Sequence, residues 1–518
     1  MTLQRAKRGR CKWLVMFYMA ADNNLTEDMV LAMQDLAAEG PPDGYKIVAQ
    51  LDPSGLGVAT QRYDFNDRPT GRSLHKYLVP EFSPDETNTG NIKSLVDFVT
   101  WAAGEYDADH HFLILSGHGS GITGDFFLPD QNATDALTIQ ELTNALRAVK
   151  RRLKKKLDVV GMDACFMGMG EIAYQIRESV GILIAAEGFE AEAGWPYRRI
   201  LAGARAAGPA IDARALAERV VWGYVTHYAD YDRAAGRSAD LAAIDLRKMS
   251  AVADAMKALS GDLLKNGRRE PDKLVLAHWK SQTFKYDQFV DLRDLCVQLT
   301  NEFGPRSSTA KACRGVTDAL DQATIVSGCC GSSSQHAHGL SVYFPWSLVS
   351  QDYSRLSFSR RTGWCDVLTR HVKDTRREVR KEVKEPGSAV APTPQVIIAT
   401  TVKALKAVER RRFNGRLPQW VERRIRASAS AARRADVAPE DLGWELLRLA
   451  KRATGMTGGG HRSGPESRSG PESRSGPESR SGPESRSLYD RERSIKNVTP
   501  VSGTWWWPRR PKPPNRHS

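Results

Sequence analysis

The chain has 518 residues with 26% charged side chains, enough to bury a sizeable core in one large domain or two to three ordinary ones. A formal charge of +14 would suggest a nucleic-acid or membrane partner, but residues 371–518 hold 32 Lys and Arg against 16 Asp and Glu, so the first 370 residues are close to neutral. Seven cysteines, an odd number at irregular spacing, argue against a disulfide framework and for a reducing compartment, and no window approaches the roughly 20 apolar residues of a membrane span.

Arg5, Lys7, Arg8, Arg10 and Lys12 precede the apolar run WLVMFYMAA (13–21), a combination that mimics a secretory leader. The run is short for that purpose and a helix start follows at once. We therefore read 13–20 as a fully buried strand and expect a cytoplasmic protein, a secreted one being the alternative. Asn24-Leu-Thr-Glu27 has the form of a capping box, with Asn24 as N-cap of a helix over about 25–38 that Gly40-Pro41-Pro42 ends. KIVAQL (46–51) is a second strand, a short extra strand is expected near RYDF (62–65), and IKSLVDFVTWAA (92–103) has helical spacing. HFLIL (111–115) is a third strand that runs into Ser116-Gly117-His118-Gly119. After a loop to about 137, Thr138-Ile-Gln-Glu141 is another capping box and opens a helix to about 156. LDVVGMD (157–163) is a fourth strand leading straight into Ala164-Cys165, followed by a helix from about 168 and a fifth strand, GILIAAEG (181–188). This alternation predicts an α/β fold with a mostly parallel sheet flanked by helices on both faces.

Further along, GWPY (194–197) closes a Glu-rich loop. Helices are expected near 197–205, 213–230, 247–264, 288–302 and 308–322, and strands at LAAIDL (241–246), TIVSG (324–328) and GLSVYFP (339–345). The organised body should span 12–372, followed by a linker at 373–395 and a small helical module at 396–453. A disordered basic tail at 454–518 carries tandem RSGPES repeats and ends in TWWWPRRPKPP (504–514).

Two blocks carry chemistry. HHFLILSGHGSG (110–121) delivers His118 and LDVVGMDACFMG (157–168) delivers Cys165, each at the carboxyl end of a buried strand, where ligands bind in open α/β sheets. A thiol attacks a carbonyl as thiolate, so an imidazole within reach that takes its proton and returns it to the leaving amine makes a peptidase pair. The Gly119 and Cys165 N–H groups are candidates for stabilising the oxyanion. Asp163 stands two residues before Cys165 and leaves an extended strand on the same face, so its carboxylate can pair with a cationic side chain next to the scissile bond.

The separation of the two residues, 47 positions, is close to that between the His and Cys of caspases. With WLVMFYMAADNNL (13–25), SGHGSG, DACFMGMGEIAYQIRE (163–178), the loop ending in GWPY, and GLSVYFP, the chain resembles the clostripain family of cysteine peptidases, in the caspase–gingipain–legumain group, over roughly residues 12–370. The resemblance implies a caspase-like sheet, a Cys165–His118 dyad, Asp163 in the primary pocket and endopeptidase cleavage after Arg, with Lys second. It also implies self-cleavage between His118 and Cys165, where the basic residues are Arg147, Lys150, Arg151, Arg152, Lys154, Lys155 and Lys156. For a second pocket acid the loop offers Glu187, Glu190 and Glu192, and we select Glu192. Ala191 and Ala193 depart from the family's Pro or Gly and its second acid, which leaves the Arg-versus-Lys preference open. Partners are polypeptides with a basic residue before the cut. No cofactor or metal is expected: Cys329-Cys330 with His336 and His338 fits no zinc spacing, and without an EF-hand-like run of acids the calcium response is left open. The competing reading is an inactive caspase-like scaffold acting through its basic tail, against which both dyad residues argue.

Overall fold

The computed structural model describes residues 9–382 and 499–500, apart from 56–57, 83–86, 124–126, 236–237, 268–269, 285–287, 332 and 346–347. The first part of the chain runs β1 (Gly9–Ala21), α1 (Thr26–Glu39), β2 (Tyr45–Pro53), β3 (Gln61–Asp64), α2 (Ile92–Glu105), β4 (Tyr106–Ser116), β5 (Phe127–Asp130), β6 (Asp135–Leu137), α3 (Ile139–Leu153), β7 (Leu157–Asp163), α4 (Gly170–Ile176) and β8 (Val180–Ala185). There follow α5 (Tyr197–Ala207), α6 (Ala213–Ala235), β9 (Ala239–Asp245), α7 (Met249–Asn266), α8 (Pro271–Lys280), β10 (Thr283–Phe284), β11 (Phe289–Asp291), α9 (Leu292–Phe303) and α10 (Ser308–Ala323). The last elements are β12 (Thr324–Cys330), β13 (Ser341–Tyr343), α11 (Ser357–Thr362), α12 (Trp364–Glu382) and β14 (Thr499–Pro500).

The main sheet has the order β3-β2-β1-β4-β7-β8-β9-β12-β14. The five strands from β2 to β8 are mutually parallel, as their βα alternation requires, and are extended by antiparallel β3 on one side and antiparallel β9, β12 and β14 on the other. The sequence pattern anticipates the parallel centre but not this antiparallel half, nor the small β10-β11-β13 sheet. The run 13–21 lies within β1 at the middle of the sheet. Its side chains alternate between two cores: Leu14, Met16, Tyr18 and Ala20 face α2, α3 and α4, while Trp13, Val15, Phe17 and Met19 face α1, α5 and α6. Burial on both faces explains why the strand reads as continuously apolar.

No helix among the described residues is long and apolar enough to cross a membrane. Helix α12 continues to Glu382, through the first part of the expected linker. The rest of that linker, the expected module at 396–453 and all of the tail except Thr499–Pro500 lie outside the described residues.

One buried acid braces the body. Glu171 in α4 is inaccessible to solvent; its Oε1 accepts from the Tyr343 N–H and the Tyr353 hydroxyl, both at 2.9 Å, and burial pushes its pKa up to about 7. An acid raised in the folded state favours folding at low pH and loses that contribution as pH rises through about 7. Glu171→Gln should therefore gain melting temperature relative to wild type between pH 5 and pH 8, measured by scanning fluorimetry; an offset that is the same at both pH values would contradict this account.

Candidate active site

The two blocks meet through strand register. Ser116, the last residue of β4, pairs with Asp163, the last of β7. Ser116 Oγ donates to Asp163 Oδ2 at 2.9 Å, and the Gly117 N–H donates to the Asp163 carbonyl at 3.1 Å. His118 and Cys165 each follow this pair by two residues, so the 47-residue spacing is the register offset itself. Beyond the strands the backbones touch. A Cβ added to Gly119 would stand 3.1 Å from Ala164 Cβ and 3.2 Å from Cys165 N, and nearer still to the Cys165 carbonyl oxygen, so this approach requires glycine.

His118 sits in the crevice where strand order reverses, since β1 leads to β2 on one side and has β4 on the other. Its carbonyl accepts from the Leu128 N–H at 3.1 Å, which fastens the turn to the β5–β6 hairpin. Its Nε2 lies 2.7 Å from Asn24 Oδ1, at the carboxyl end of β1. An amide oxygen there selects the tautomer with hydrogen on Nε2 and leaves Nδ1 as the basic ring atom. This contact corrects the expected capping box: α1 starts at Thr26, its N-cap position is Leu25 and no side chain caps it, because the Asn24 oxygen is taken by the imidazole. Asp22 and Asn23 build the turn that presents Asn24. Asn23 Nδ2 donates to the carbonyls of Ala20 (2.9 Å) and Pro129 (3.2 Å), and Asp22 Oδ2 accepts from the Asn132 N–H at 2.6 Å. The second capping box, at Thr138 and Glu141, forms as expected.

Cys165 lies in the turn after β7, followed by Phe166 with a left-handed φ of +63°. That turn is tied down on both sides. The Phe166 N–H donates to Gly188 O (2.9 Å), the Gly168 N–H to Ala186 O (2.7 Å), and the Ser341 N–H to Gly168 O (2.9 Å). The loop after β8 passes over the thiol, and the Glu190 N–H donates to Cys165 Sγ at 3.3 Å.

Asp163 is almost fully buried and accepts from Ser116 Oγ, the Tyr197 hydroxyl and the Trp195 N–H. The acid that faces it is Glu190, not Glu192. Glu190 Oε1 accepts from Trp195 Nε1 at 3.2 Å and its carboxyl is within hydrogen-bonding range of Asp163. Trp195 can lie on the sheet because Gly161 is beneath it, where a Cβ would come within 2.7 Å of the indole. Glu192 is exposed, and its charge opposes the lowering of the His118 pKa. Glu187 is fully buried, accepts from the Gly339 N–H and lies beside Asp240 and Asp291. The turn in this loop puts Glu190 inward and Glu192 outward, a choice that an aperiodic Glu-rich segment does not reveal.

The model of the clostripain family matches residues 17–371. The chain belongs to the clostripain family. Clostripain of Hathewaya histolytica is 24% identical over 413 residues, covering 66% of this chain and 76% of its own. Two solved structures share the fold at 17% identity, each over 68% of this chain. One is a secreted C11 cysteine protease from Bacteroides thetaiotaomicron with an irreversible peptide inhibitor (TM-score 0.54, 99% of that chain), the other an inactive zymogen C11 protease from Parabacteroides distasonis (TM-score 0.51, 98% of that chain). The protein is thus a cysteine protease with a caspase-like α/β body.

In this clostripain-family site the surroundings favour the uncharged forms of both His118 and Cys165. Burial lowers the His118 pKa against the opposing pull of Glu192. Burial also raises the Cys165 thiol, which the Glu190 N–H partly offsets and the Asp163 charge reinforces. Alkylation of Cys165 by neutral iodoacetamide, followed by mass spectrometry, should therefore rise along one sigmoid centred above the ordinary thiol value. A plateau of reactivity reaching down to pH 6, the mark of a thiolate–imidazolium pair, would contradict it.

Proposed function

We propose that the protein is an endopeptidase cutting on the carboxyl side of Arg, and second of Lys, through an acyl-enzyme. Cys165 is the nucleophile. His118 Nδ1 takes the thiol proton and returns it to the leaving amine, and Asn24 is the positioning residue that holds the ring. The N–H groups of Gly119 and Cys165 serve the oxyanion, and Asp163 attracts the basic P1 side chain. The observation that carries this reading is the Ser116–Asp163 pairing, which sets His118, Cys165 and a buried carboxylate at one sheet edge. An acid adjacent to the nucleophile favours a cation at P1, and a hydrogen bond to a charged group is worth about 1.5–3 kcal/mol, or roughly 10–150-fold in preference.

A positional-scanning peptide library tests it. Wild type should cut after Arg and, less efficiently, Lys. His118→Ala should lose about 10²–10⁴-fold in kcat. Asn24→Ala should lose about tenfold in kcat at unchanged KM. Asp163→Asn should lose roughly 10–150-fold in kcat/KM for basic P1 residues. Equal cleavage after neutral residues, or full activity in His118→Ala, would remove the reading.

The same proposal extends to self-processing. Between the two blocks, Lys150, Lys155 and Lys156 are tied to the carbonyls of Glu178, Asp109 and Arg177, at 2.7, 2.7 and 2.9 Å. Arg151, Arg152 and Lys154 are exposed at the frayable end of α3, where Lys154 is left-handed. Purified wild type should be nicked within Arg151–Lys154 and Cys165→Ala should be intact. Intact chains from both would exclude self-cleavage there.

A further inference from the structure

Glu190 touches both the nucleophile and the pocket acid. Its N–H meets Cys165 Sγ and its carboxyl meets Asp163. Asp163 already has donors from Ser116, Tyr197 and Trp195, whereas Glu190 Oε2 is buried with no donor among the described residues. Among the described residues, the titratable groups facing Glu190 are Asp163 and Cys165 from the β7 end, Tyr197 from α5 and Tyr224 from α6, and none of these is a cation. Two buried carboxyls in contact without a counter-ion cannot both be charged, so the pair holds one proton. Burial and the Asp163 charge both favour the protonated form of Glu190, from which an O–H would donate to Asp163. What the pocket lacks is a group with several N–H donors and a positive charge.

We propose that Glu190 reads the P1 side chain jointly with Asp163 by exchanging a proton for a cation: the empty pocket holds one proton between two carboxyls, and the filled pocket holds a guanidinium or ammonium group between two carboxylates. This rests on the basic-P1 reading above and goes beyond it by assigning a second specificity-determining residue and a proton that is released. On binding, the O–H bond of Glu190 breaks, the electron pair stays on the carboxylate and the proton passes to solvent. The entering cation supplies the donors that Oε2 lacks. Because a proton must leave for the cation to enter, affinity for a P1 cation falls as pH drops below the point where the empty pair gives up its proton, by up to about tenfold per pH unit.

The test uses full-length protein carrying Cys165→Ala, to prevent turnover. It is titrated calorimetrically with a peptide ending in Arg and with the same peptide ending in citrulline, a neutral isostere. Runs between pH 6 and 8 in two buffers of different ionisation enthalpy count the protons released. Binding of the Arg peptide should release close to one proton and strengthen with pH. In the Glu190→Gln, Cys165→Ala double variant, proton release should vanish, the pH slope should flatten and affinity at pH 8 should fall by about tenfold or more. Glu190→Asp, which keeps the charge, should retain proton release, and it guards against misfolding of the Gln variant. Equal proton release, pH slope and affinity with and without Glu190→Gln would overturn the proposal while leaving a basic P1 pocket intact. Failure of the parent protein to prefer Arg over citrulline would instead overturn the basic-P1 reading, and this proposal with it.

Discussion

The pairing of Ser116 with Asp163 across β4 and β7 governs the site. A parallel ladder allows one register once both faces of its strands are buried, and here both faces are. A slip of one residue would turn Asp163 to the opposite face and move Cys165 one step along the strand relative to His118. The apolar alternation of Phe112, Ile114 and Val159 against Leu113, Leu115, Val160 and Met162 therefore does more than build a core. It sets the spacing between the His118 imidazole and the Asp163–Cys165 pair, which lies 47 residues further along the chain from Ser116 and His118.

Much of this arrangement is legible in the sequence because the informative signals are local and periodic. The five parallel strands show as short apolar runs ending at glycine or a polar turn, and the Thr138–Glu141 box announces α3 by a pattern that the helix end satisfies directly. Asn24 and Glu190 mark where that legibility stops. Asn24 stands in a sequence that suits capping equally well, and what decides its use is a histidine 94 residues away. Glu190 and Glu192 are chemically identical acids on an irregular loop, where no period separates inside from outside. The antiparallel strands β9 and β12 escape for a related reason: burial of β9 on both faces makes it look like any parallel core strand, and strand direction leaves no mark on composition.

The site is unusually acidic for a neutral body, and the acids are layered. Asp163 and Glu190 form the layer next to the thiol. Behind the loop, Asp240 accepts the N–H groups of Glu187 and Gly188 at 2.7 and 3.1 Å, and Asp291 accepts the His338 N–H at 2.6 Å. Asp240 and Asp291 accept from backbone donors and so fix the loop, whereas Glu190 Oε2 has no donor among the described residues. Burial raises acids in both layers, but it is the outer one that lies beside the Cys165 thiol.

The turn after Cys165 is closed by residues from much later in the chain, through the Ser341 N–H on Gly168 and the Gly339 N–H on Glu187. The order of synthesis gives this a meaning of its own. A ribosome-bound chain that has emerged through β8 already contains His118, Cys165 and the parallel strands that align them. It lacks the segment that anchors the thiol's turn and the loop above it. The turn that carries Cys165 is therefore complete only once the chain has been made as far as Ser341.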